Sequence, residues 1–499
     1  VLLDLINGLV SLPDPAPQSV NIVATGIQMD SRLLQKGDLF LACFGNNHDA
    51  REYIDEAIEM GVAAVLAESG GEWQGVRLIK GVAVIAIDNL SAKLGEIAAR
   101  FYSHPSRRLS VIGITGTNGK TSCSQFIAQA LADTGFSCGT MGTLGYGIYG
   151  ELKETQLTTP DPVFTQMALA EMAQGGIDPV VMEVSSVGLH QRRVKAVKFD
   201  TAIFTNLTRD HLDYHESMEA YGNNKKKLFT SEGLSRAIVN LDDPYALSII
   251  NAIAPSVDVY TYSLKNSAAT VYAESLSLTR QGFEARLVTP IGAGTVKGKL
   301  FGYFNVSNLL AVITTLINYL PKKKVFDIAQ LCELVSGLSS VDGRMEIIGD
   351  FEEITAMVDY AHTPDGLRSA LKGLRDHFSG NIWCVFGCGG NRDKGKRPIM
   401  GEVAEAFADR LIITDDNPRN EKGDDIVQHI LSGMNKPEQA VIERDREKAI
   451  AYAIANAESG DVVVVAGKGH ETYQDVGGSR LIFSDASQVR LALQAREKK

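Results

Sequence analysis

A lysine and a threonine close a short glycine-bearing loop, Thr-Gly-Thr-Asn-Gly-Lys-Thr, at residues 115–121. In such a loop, backbone N–H groups surround phosphates, the lysine reaches the outer phosphates, and the threonine hydroxyl holds Mg²⁺. The strict phosphate-binding pattern has glycine where this chain has Ile114, and Gly-Lys-Thr alone also occurs in ordinary loops. The neighbouring segments must therefore decide whether this loop binds a nucleotide.

Those segments predict a strand before the loop and a helix after it. Residues 111–114 are apolar and mostly β-branched, which is typical of a buried parallel strand. From Ser122 onward, apolar residues recur at helical spacing as far as the stop signal at Gly135. A strand, a glycine loop and a helix in this order predict an ATP site. Its expected residues are Gly116, Thr117, Asn118, Gly119, Lys120, Thr121 and Ser122.

Further polar residues follow predicted strands farther along the chain. Glu183 ends an apolar run, where a carboxylate must be paired or must bind a metal. A satisfied buried glutamate is the simpler alternative, but beside a phosphate loop we predict Mg²⁺ coordination. His211 and His215 are one helical turn apart and could both bind a metal, although histidines in a polar loop seldom do. The three lysines at residues 225–227 are typical of a solvated surface.

The order of strands and helices predicts an α/β protein of three domains. Residues 1–103 form a small α/β domain, residues 104–342 a central P-loop ATPase with a mostly parallel sheet, and residues 343–499 a Rossmann-like domain. In the last region four strand ends are followed by polar or glycine-rich loops. Parallel strands place such ends at one edge of a sheet, which predicts a substrate cleft there. The glycine run at residues 387–390, in one of these loops, resembles a dinucleotide fingerprint only loosely.

Composition excludes several other functions. The net charge of −11 argues against a nucleic-acid partner, and no apolar run is long enough to span a membrane. The first six residues lack a basic leader, so we expect a packing segment there rather than a signal peptide. The six cysteines show neither paired nor zinc-binding spacing, which predicts buried free thiols in a reducing cytoplasm.

Six motifs taken together resemble those of the Mur ligases, in the same order and over essentially the whole chain. They lie at residues 115–121, 183–186, 206–213, 302–308, 343–346 and 359–362. The resemblance implies an N-terminal domain for the UDP end of the substrate, a central ATPase and a C-terminal domain that closes over the site. It also implies a cytoplasmic enzyme of peptidoglycan synthesis, which we expect to be a monomer with Mg²⁺ as cofactor and ATP as co-substrate.

The implied reaction adds meso-2,6-diaminopimelate to UDP-N-acetylmuramoyl-L-alanyl-D-glutamate through an acyl phosphate. Within the family, the form Asp416-Asn-Pro-Arg419 marks the members that add diaminopimelate. The alternatives are the version that adds L-lysine and, from another class, a P-loop ATPase without ligation. Folylpolyglutamate synthetase is a more distant possibility, because the C-terminal loops fit it less well.

Site residues follow from the resemblance, position by position. The catalytic set is Lys120, Glu183, His211 and Lys225, and the metal set is Thr121, Glu183, His211 and Lys225. Lys225 matches a lysine that the family carbamylates to N6-carboxylysine, and the like charges of Lys226 and Lys227 favour the neutral amine that reacts with CO₂.

The remaining implied residues bind the three substrates. ATP contacts are implied for Asn305, Arg344, Asp359 and His362. From the sequence alone, Asn305 or Asn308 could equally be a helix cap. The UDP-muramoyl dipeptide is implied at Met29, Ser31, Asn46, Asn47, His48, Thr158, Thr159, Ser185, Gln191 and Arg193. Val187 and Leu157 depart from the family pattern there, which has His and Asn. Diaminopimelate is implied at Arg392, Asp416, Asn417, Pro418, Arg419, Gly467 and Glu471.

Overall fold

The computed structural model describes residues 1–10, 21–45, 48–320, 327–348 and 353–497, so the predicted site residues Asn46 and Asn47 lie outside the described part. The α-helices of the described ranges are α1 (Leu2–Ile6), α2 (Ile54–Glu59), α3 (Leu94–Phe101), α4 (Lys120–Asp133), α5 (Pro162–Gln174), α6 (Ser186–His190), α7 (Leu212–His215), α8 (Met218–Lys226), α9 (Ala246–Ile250), α10 (Tyr303–Tyr319), α11 (Ile328–Ser336), α12 (Pro364–His377), α13 (Lys396–Phe407), α14 (Gly423–Leu431), α15 (Arg446–Asn456) and α16 (Asp485–Glu497).

The strands of the same ranges alternate with these helices along much of the chain. They are β1 (Gly26–Gln28), β2 (Asp38–Ala42), β3 (Ala64–Glu68), β4 (Val76–Ile79), β5 (Val82–Ile87), β6 (Val111–Thr115), β7 (Gly139–Gly142), β8 (Gly145–Ile148), β9 (Val180–Glu183), β10 (Thr201–Phe204), β11 (Arg236–Asn240), β12 (Asp258–Ser263), β13 (Val271–Thr279), β14 (Gly282–Thr289), β15 (Gly292–Gly298), β16 (Glu346–Ile347), β17 (Thr355–Asp359), β18 (Ile382–Phe386), β19 (Arg410–Ile413), β20 (Val441–Ile442), β21 (Val462–Ala466), β22 (Tyr473–Val476) and β23 (Ser479–Ile482). The predicted α/β class is confirmed.

The backbone packs into two compact units. The first contains residues 1–113, 136–202 and 223–235, and the second contains residues 114–135, 203–222 and 236–499. The boundary between the units passes through β6 and β10. It therefore does not follow the predicted domain limits at 103/104 and 342/343, which stay a prediction.

In the first unit, the N-terminal strands form a five-stranded sheet in the order β1-β2-β3-β5-β4. Only β4 runs antiparallel to its neighbour. The strands are apolar on both faces because each face packs on its own core, with Leu39 and Leu41 in one core and Phe40 in the other. The apolar run at residues 61–66 is typical of a strand, but β3 begins only at Ala64, because Gly61 (φ 86°) still belongs to the turn after α2.

Three strands of the central region also lie in the first unit. β7 pairs parallel with β9 and antiparallel with β8. The predicted strand at residues 180–184 is confirmed as β9, which is buried throughout and ends at Glu183. Helix α5 begins after Asp161, whose side chain accepts hydrogen bonds from Val163 N and Phe164 N, with Pro162 as its first residue.

In the second unit, the apolar residues 236–240 form the expected strand β11, and the sequence pattern did not predict the strands β12 to β15 that follow it. β11 pairs parallel with β12, and β12 with β13, but β13, β14 and β15 form an antiparallel meander. Much of this meander is only half-buried, so its strands lack the long apolar runs by which the other strands were found. The strands β11 to β15 of the second unit are thus first parallel and then antiparallel.

The C-terminal part of the second unit is a six-stranded sheet in the order β16-β17-β21-β18-β19-β20. All its pairs are parallel except β16 with β17. Both faces are covered, since Val462 and Val464 pack into one core while Val463 and Val465 pack into the other. The four loops that follow β17, β18, β19 and β21 therefore leave neighbouring strands at one edge, as predicted.

Two further predictions from composition can be compared with the structure. The cysteines are free thiols, Cys43 half-buried and the other five buried, which agrees with the predicted free thiols, while the reducing compartment stays a prediction. Within the described ranges, no helix is both long and apolar enough to cross a membrane.

Candidate functional site

The predicted nucleotide loop, residues 115–121, connects the buried strand β6 to helix α4 as expected. Gly119 adopts φ 87°, and a Cβ there would lie 2.4 Å from Asn308 Oδ1, so only glycine fits. The helix begins at Lys120, two residues before the predicted start. The reason is that Lys120 and Thr121 are polar yet already helical after the left-handed Gly119.

Hydrogen bonds fix the shape of this loop. Asn118 N donates to Asn206 Oδ1 (2.9 Å), and Thr205 Oγ1 donates to the Asn118 carbonyl (2.6 Å). The Thr117 hydroxyl donates to the Thr208 carbonyl at 3.1 Å. The segment after β10 therefore braces the nucleotide loop from outside, a role that its sequence did not reveal.

Lys120 and Thr121 occupy the positions expected of phosphate-binding and Mg²⁺-binding residues. Lys120 Nζ donates to the carbonyls of Gly116 and Thr117, both at 2.9 Å, so its ammonium lies over the loop. Thr121 is buried in the first turn of α4, and its Oγ1 accepts a hydrogen bond from Arg344 Nη2 at 3.2 Å. The structure thus joins two predicted ATP residues that are distant in sequence.

Asn305 and Asn308 do not cap helix α10, which corrects one of the two alternatives. The cap position is Gly302, without a side-chain hydrogen bond. Asn305 Nδ2 instead donates to the Phe301 carbonyl at 3.0 Å, and both amides are buried in the first turns of the helix. A contact of Asn305 with adenine stays a prediction.

Arg344, Asp359 and His362 lie around Tyr360. The Arg344 guanidinium lies 4.3 Å from the centre of the Tyr360 ring, and its Nε is buried without a hydrogen-bond partner among the described residues. The Asp359 carboxylate accepts from Met345 N (2.7 Å) and Ala361 N (2.9 Å), while burial raises the pKa of Asp359. His362 is exposed, with Nδ1 2.9 Å from the Tyr360 carbonyl.

Glu183 is buried in the first unit and held by Thr143. Its Oε1 accepts from Thr143 N at 2.9 Å, and Oε2 accepts from the Thr143 hydroxyl at 3.1 Å. Gly142 has no room for a side chain, since a Cβ there would lie 2.2 Å from Glu183 Oε1. These hydrogen bonds offset part of the cost of burying this carboxylate, and its role as a metal ligand stays a prediction.

Several residues predicted to bind the dipeptide form one hydrogen-bonded group beside Glu183. The Thr159 hydroxyl donates to the Glu183 carbonyl (3.0 Å) and accepts from Ser185 N (2.9 Å). Arg193 Nη1 donates to the Thr159 carbonyl (2.7 Å), and Arg193 Nε to Gln191 Oε1 (3.0 Å). Near this group, the Thr158 hydroxyl is 3.1 Å from that of Thr143.

The other predicted dipeptide residues are placed in the N-terminal part of the first unit. Met29 follows β1, Ser31 begins a short 3₁₀ turn capped by Asp30, and His48 is exposed. Their approach to the substrate stays a prediction, as does any effect of Val187, which is half-buried, or Leu157, which is exposed.

The remaining residues predicted for the metal and for catalysis, His211 and Lys225, belong to different units. In the second unit, His211 precedes α7 in a left-handed conformation (φ 52°), with a half-exposed side chain, whereas His215 is buried with its ring 5.2 Å from that of Tyr221. In the first unit, Lys225 is 1% exposed near the end of α8, not on a solvated surface. Within the described ranges, no three His, Cys, Asp or Glu side chains lie close enough to hold a metal ion.

The C-terminal loops bring the predicted diaminopimelate residues together. We call residues 387–392 the glycine loop, residues 415–421 the arginine loop and residues 467–471 the lysine loop. Arg419 Nη1 donates to the Gly390 carbonyl (2.8 Å), and Arg419 Nε lies 4.0 Å from Asp475 Oδ2. Nη2 of Arg419 has no hydrogen-bond partner in the part of the chain that the structure describes, and Arg392 is exposed at the end of the glycine loop.

The backbone of Arg419 is also fixed. It adopts φ 51°, with its N–H donating to the Asp475 carbonyl (2.9 Å) and its own carbonyl accepting from Gly477 N (2.8 Å). The glycines of the first loop meet a packing need, since a Cβ on Gly390 would lie 1.9 Å from the carbonyl of the buried Pro418. Close packing, rather than a dinucleotide, accounts for this glycine run.

The arginine and lysine loops share a buried polar group. Asn417 Nδ2 donates to Glu471 Oε2 (2.8 Å), and Lys468 Nζ donates to the same oxygen (2.9 Å) and to Asn417 Oδ1 (3.0 Å). Gly467 leaves room for the Asp416 carboxylate, which a Cβ would meet at 2.5 Å. Both of these hydrogen bonds go to Oε2 of Glu471, and its Oε1 takes no part in them.

Sequence reasoning missed several residues that shape these loops. They are Lys468 and Arg397, both fully buried, Tyr360, Glu421, His470 and Asp475. Burial lowers the pKa of His470 to about 4, with the positive charge of Arg344 acting in the same direction, so this imidazole is neutral at physiological pH. Lys468 stands between two glycines after a strand of four valines and an alanine, and nothing in that sequence indicates its burial.

Comparison with known proteins agrees with this architecture. Residues 23–102 match the Mur ligase family catalytic domain, residues 114–316 the Mur ligase middle domain, and residues 343–469 the Mur ligase glutamate ligase domain. These three matches follow the predicted order of domains.

Two curated relatives and one solved structure carry the same printed name, UDP-N-acetylmuramoyl-L-alanyl-D-glutamate--2,6-diaminopimelate ligase. The protein of Coxiella burnetii is 46% identical, with 95% of this chain and 96% of the relative covered, and that of Pseudomonas aeruginosa is 44% identical over 98% and 99%. The solved structure is 34% identical, with a TM-score of 0.71 and coverage of 100% and 99%. On this similarity and on the three domain matches, the chain belongs to the Mur ligase family.

Proposed function

We propose that this protein is the ATP-dependent ligase that adds meso-2,6-diaminopimelate to UDP-N-acetylmuramoyl-L-alanyl-D-glutamate in peptidoglycan synthesis. ADP and phosphate are the other products. The observation that carries the choice of amino acid is Arg419, whose guanidinium is held by the Gly390 carbonyl and flanked by Asp475. The curated relatives named for the same reaction support the proposal.

The reaction begins with activation of the D-glutamyl side chain. A carboxylate is a poor electrophile, so one of its oxygens attacks the γ-phosphorus of ATP, giving an acyl phosphate and ADP. The amine of diaminopimelate then attacks the acyl carbon, and the tetrahedral intermediate expels phosphate. Lys120, over the nucleotide loop, stabilises the negative charge of the phosphoryl group in transfer.

Recognition of the incoming amino acid uses opposite charges. The planar fork of Arg419, with Arg392 nearby, binds the carboxylate that distinguishes diaminopimelate from lysine. Glu471 binds an ammonium of the same substrate through the oxygen that Asn417 and Lys468 leave free. Asp416, buried beneath Gly467, adds negative charge on this side.

The donor types of the predicted metal residues suit Mg²⁺. Thr121 and Glu183 offer hydroxyl and carboxylate oxygens, and both are buried, which matches a hard cation. His211 and a carbamylated Lys225 are added to the proposed metal residues on the family resemblance alone. When bound, Mg²⁺ would neutralise charge on the ATP phosphates.

Lys225 gives this proposal a test. Because a carbamate is an anion, Lys225→Ala is expected to lose ligation, and a small carboxylate such as acetate is expected to restore part of it. The measurement is phosphate release at rising acetate concentration, with the exposed Lys265→Ala as control. Full activity of Lys225→Arg, which keeps a cation, would show that no carbamate is needed.

We also propose that the enzyme works in the cytoplasm and as a monomer. Free, mostly buried thiols suit a reducing compartment, and the monomeric state rests on the family resemblance.

Substrate dependence of phosphate release tests the function as a whole. A ligase needs the UDP-dipeptide and the amino acid together for sustained release, whereas a simple P-loop ATPase needs neither. Release should therefore require all three substrates and should be faster with diaminopimelate than with L-lysine. Release from ATP alone at the full rate would favour the ATPase, and a preference for lysine would favour the lysine-adding version.

A further inference from the structure

An ion pair between a fully buried arginine and a half-buried glutamate links the glycine and arginine loops. Arg397, in α13, is 0% exposed, and its guanidinium binds the Glu421 carboxylate through both ends: Nη1 to Oε2 at 3.1 Å and Nη2 to Oε1 at 3.0 Å. Nη2 also donates to the Gly389 carbonyl at 3.2 Å, and Nη1 to His429 Nδ1 at 3.1 Å. None of these four residues belongs to the predicted binding set.

The pair joins the two loops that carry the proposed substrate arginines. Besides accepting from Arg397, Glu421 Oε1 accepts from Asn391 N at 2.5 Å, one residue before Arg392. Arg397 in turn holds the carbonyl of Gly389, next to Gly390, whose own carbonyl binds Arg419. The ion pair therefore holds the glycine loop at Gly389 and Asn391, and the same loop contacts Arg419 through the Gly390 carbonyl.

Both members of this pair are charged. Hydrogen bonds from Arg397 and from Asn391 N–H lower the pKa of Glu421 to about 2, so the carboxylate is ionised at any working pH. Because the Arg397 guanidinium can only donate, His429 must present Nδ1 as an acceptor. A buried, two-pronged ion pair of this kind is a poor source of net stability compared with apolar side chains, but it fixes geometry strictly.

We propose that Arg397 and Glu421 are positioning residues that set the selectivity for an amino acid with a second carboxylate. They act through the glycine loop, by holding the Gly390 carbonyl where it orients Arg419. This inference rests on the proposed function, because it assumes that Arg419 binds the substrate carboxylate. Neither residue of the pair touches the substrate itself.

A merely structural role makes a different prediction, and a paired substitution separates the two. In Arg397→Met/Glu421→Leu, apolar side chains replace the whole pair, so no buried charge is left alone and the melting temperature should recover relative to either single variant. The kcat/KM for diaminopimelate should nevertheless fall by about 10- to 100-fold, since small displacements of a binding group cost that much. The KM values for ATP and for the UDP-dipeptide should not change.

Two further variants make the test decisive. Arg397→Lys keeps the positive charge but loses the fork, and it should raise the KM for diaminopimelate even if the double variant does not fold. The exposed pair Arg286 and Glu274, replaced in the same way, should leave all three KM values unchanged.

The outcomes are distinct. A double variant with both the melting temperature and the diaminopimelate kcat/KM of the wild type would overturn the inference, as would an unchanged diaminopimelate KM in Arg397→Lys. A wild type without diaminopimelate-dependent turnover would refute the proposed function, and this inference with it, from the wild-type measurement alone.

Discussion

Lys120→Ala is expected to lower kcat for ATP-dependent ligation by about 10²- to 10³-fold, the loss typical of removing one preorganised charge-stabilising group. The ammonium of Lys120 lies over the carbonyls of Gly116 and Thr117, so it is already placed at the mouth of the nucleotide loop. No other lysine or arginine in the loop, residues 115–121, can replace it. The measurement is phosphate release with ATP, UDP-dipeptide and diaminopimelate all saturating.

A matched variant shows whether the loss comes from the position or only from the charge. Lys448→Ala removes an exposed lysine whose ion-pair partner among the described residues is Asp445, at the start of the same helix. The kcat of this variant should equal that of the wild type. Near-normal phosphate release by Lys120→Ala would contradict the proposal that the nucleotide loop binds ATP.

Arg419→Ala is expected to lower kcat/KM for diaminopimelate by about 10²-fold while leaving the weak turnover of lysine little changed. Two charge-assisted hydrogen bonds to the substrate carboxylate are lost, together about 3 kcal/mol, and each 1.4 kcal/mol is tenfold. Free L-lysine lacks that carboxylate, so the substitution removes no hydrogen bond to it and its kcat/KM should stay nearly the same. The measurement is kcat/KM for both amino acids in the variant and the wild type.

Two other arginine variants separate the effect of the planar guanidinium fork from the effect of positive charge alone. Arg419→Lys keeps the charge without the planar fork and should be intermediate. Arg410→Ala removes an exposed arginine at the start of β19 and should leave the preference intact. A variant Arg419→Ala that keeps the wild-type preference for diaminopimelate would assign this discrimination to another residue.

The nucleotide loop could be predicted because its signal is local. The strand β6, the glycine positions and helix α4 all follow from neighbouring residues, and only the first helical turn was missed. That turn is formed by Lys120 and Thr121, which are polar and therefore invisible to an apolar pattern. What braces the loop, Asn206 and Thr205, lies about ninety residues away, and no sequence pattern links it to the loop.

The C-terminal sheet was predictable for a related reason. Its four inner strands, β17, β21, β18 and β19, are largely continuous apolar runs because both faces are covered, and neighbouring parallel strands place their loops at one edge. The meander of β13, β14 and β15 lacks this property, because it is antiparallel and partly exposed, so its strands were missed.

Arg397, Glu421 and Lys468 could not have been predicted from their residue types. Charged residues usually lie at the surface, and a sequence gives no sign that Arg397 and Lys468 are fully buried. The role of each becomes visible only when the folded chain brings an acidic partner to it. Glu421 reaches Arg397 from 24 residues away, and Glu471 reaches Lys468 from three residues on in the lysine loop.

The most direct test of the central claim is the product itself. Purified protein is incubated with ATP, the UDP-dipeptide and diaminopimelate, and the UDP-tripeptide is quantified by mass spectrometry beside the released phosphate. We predict equal amounts of tripeptide and phosphate, and no tripeptide when ATP is left out. Phosphate released without tripeptide, or tripeptide formed from lysine in preference to diaminopimelate, would contradict the account.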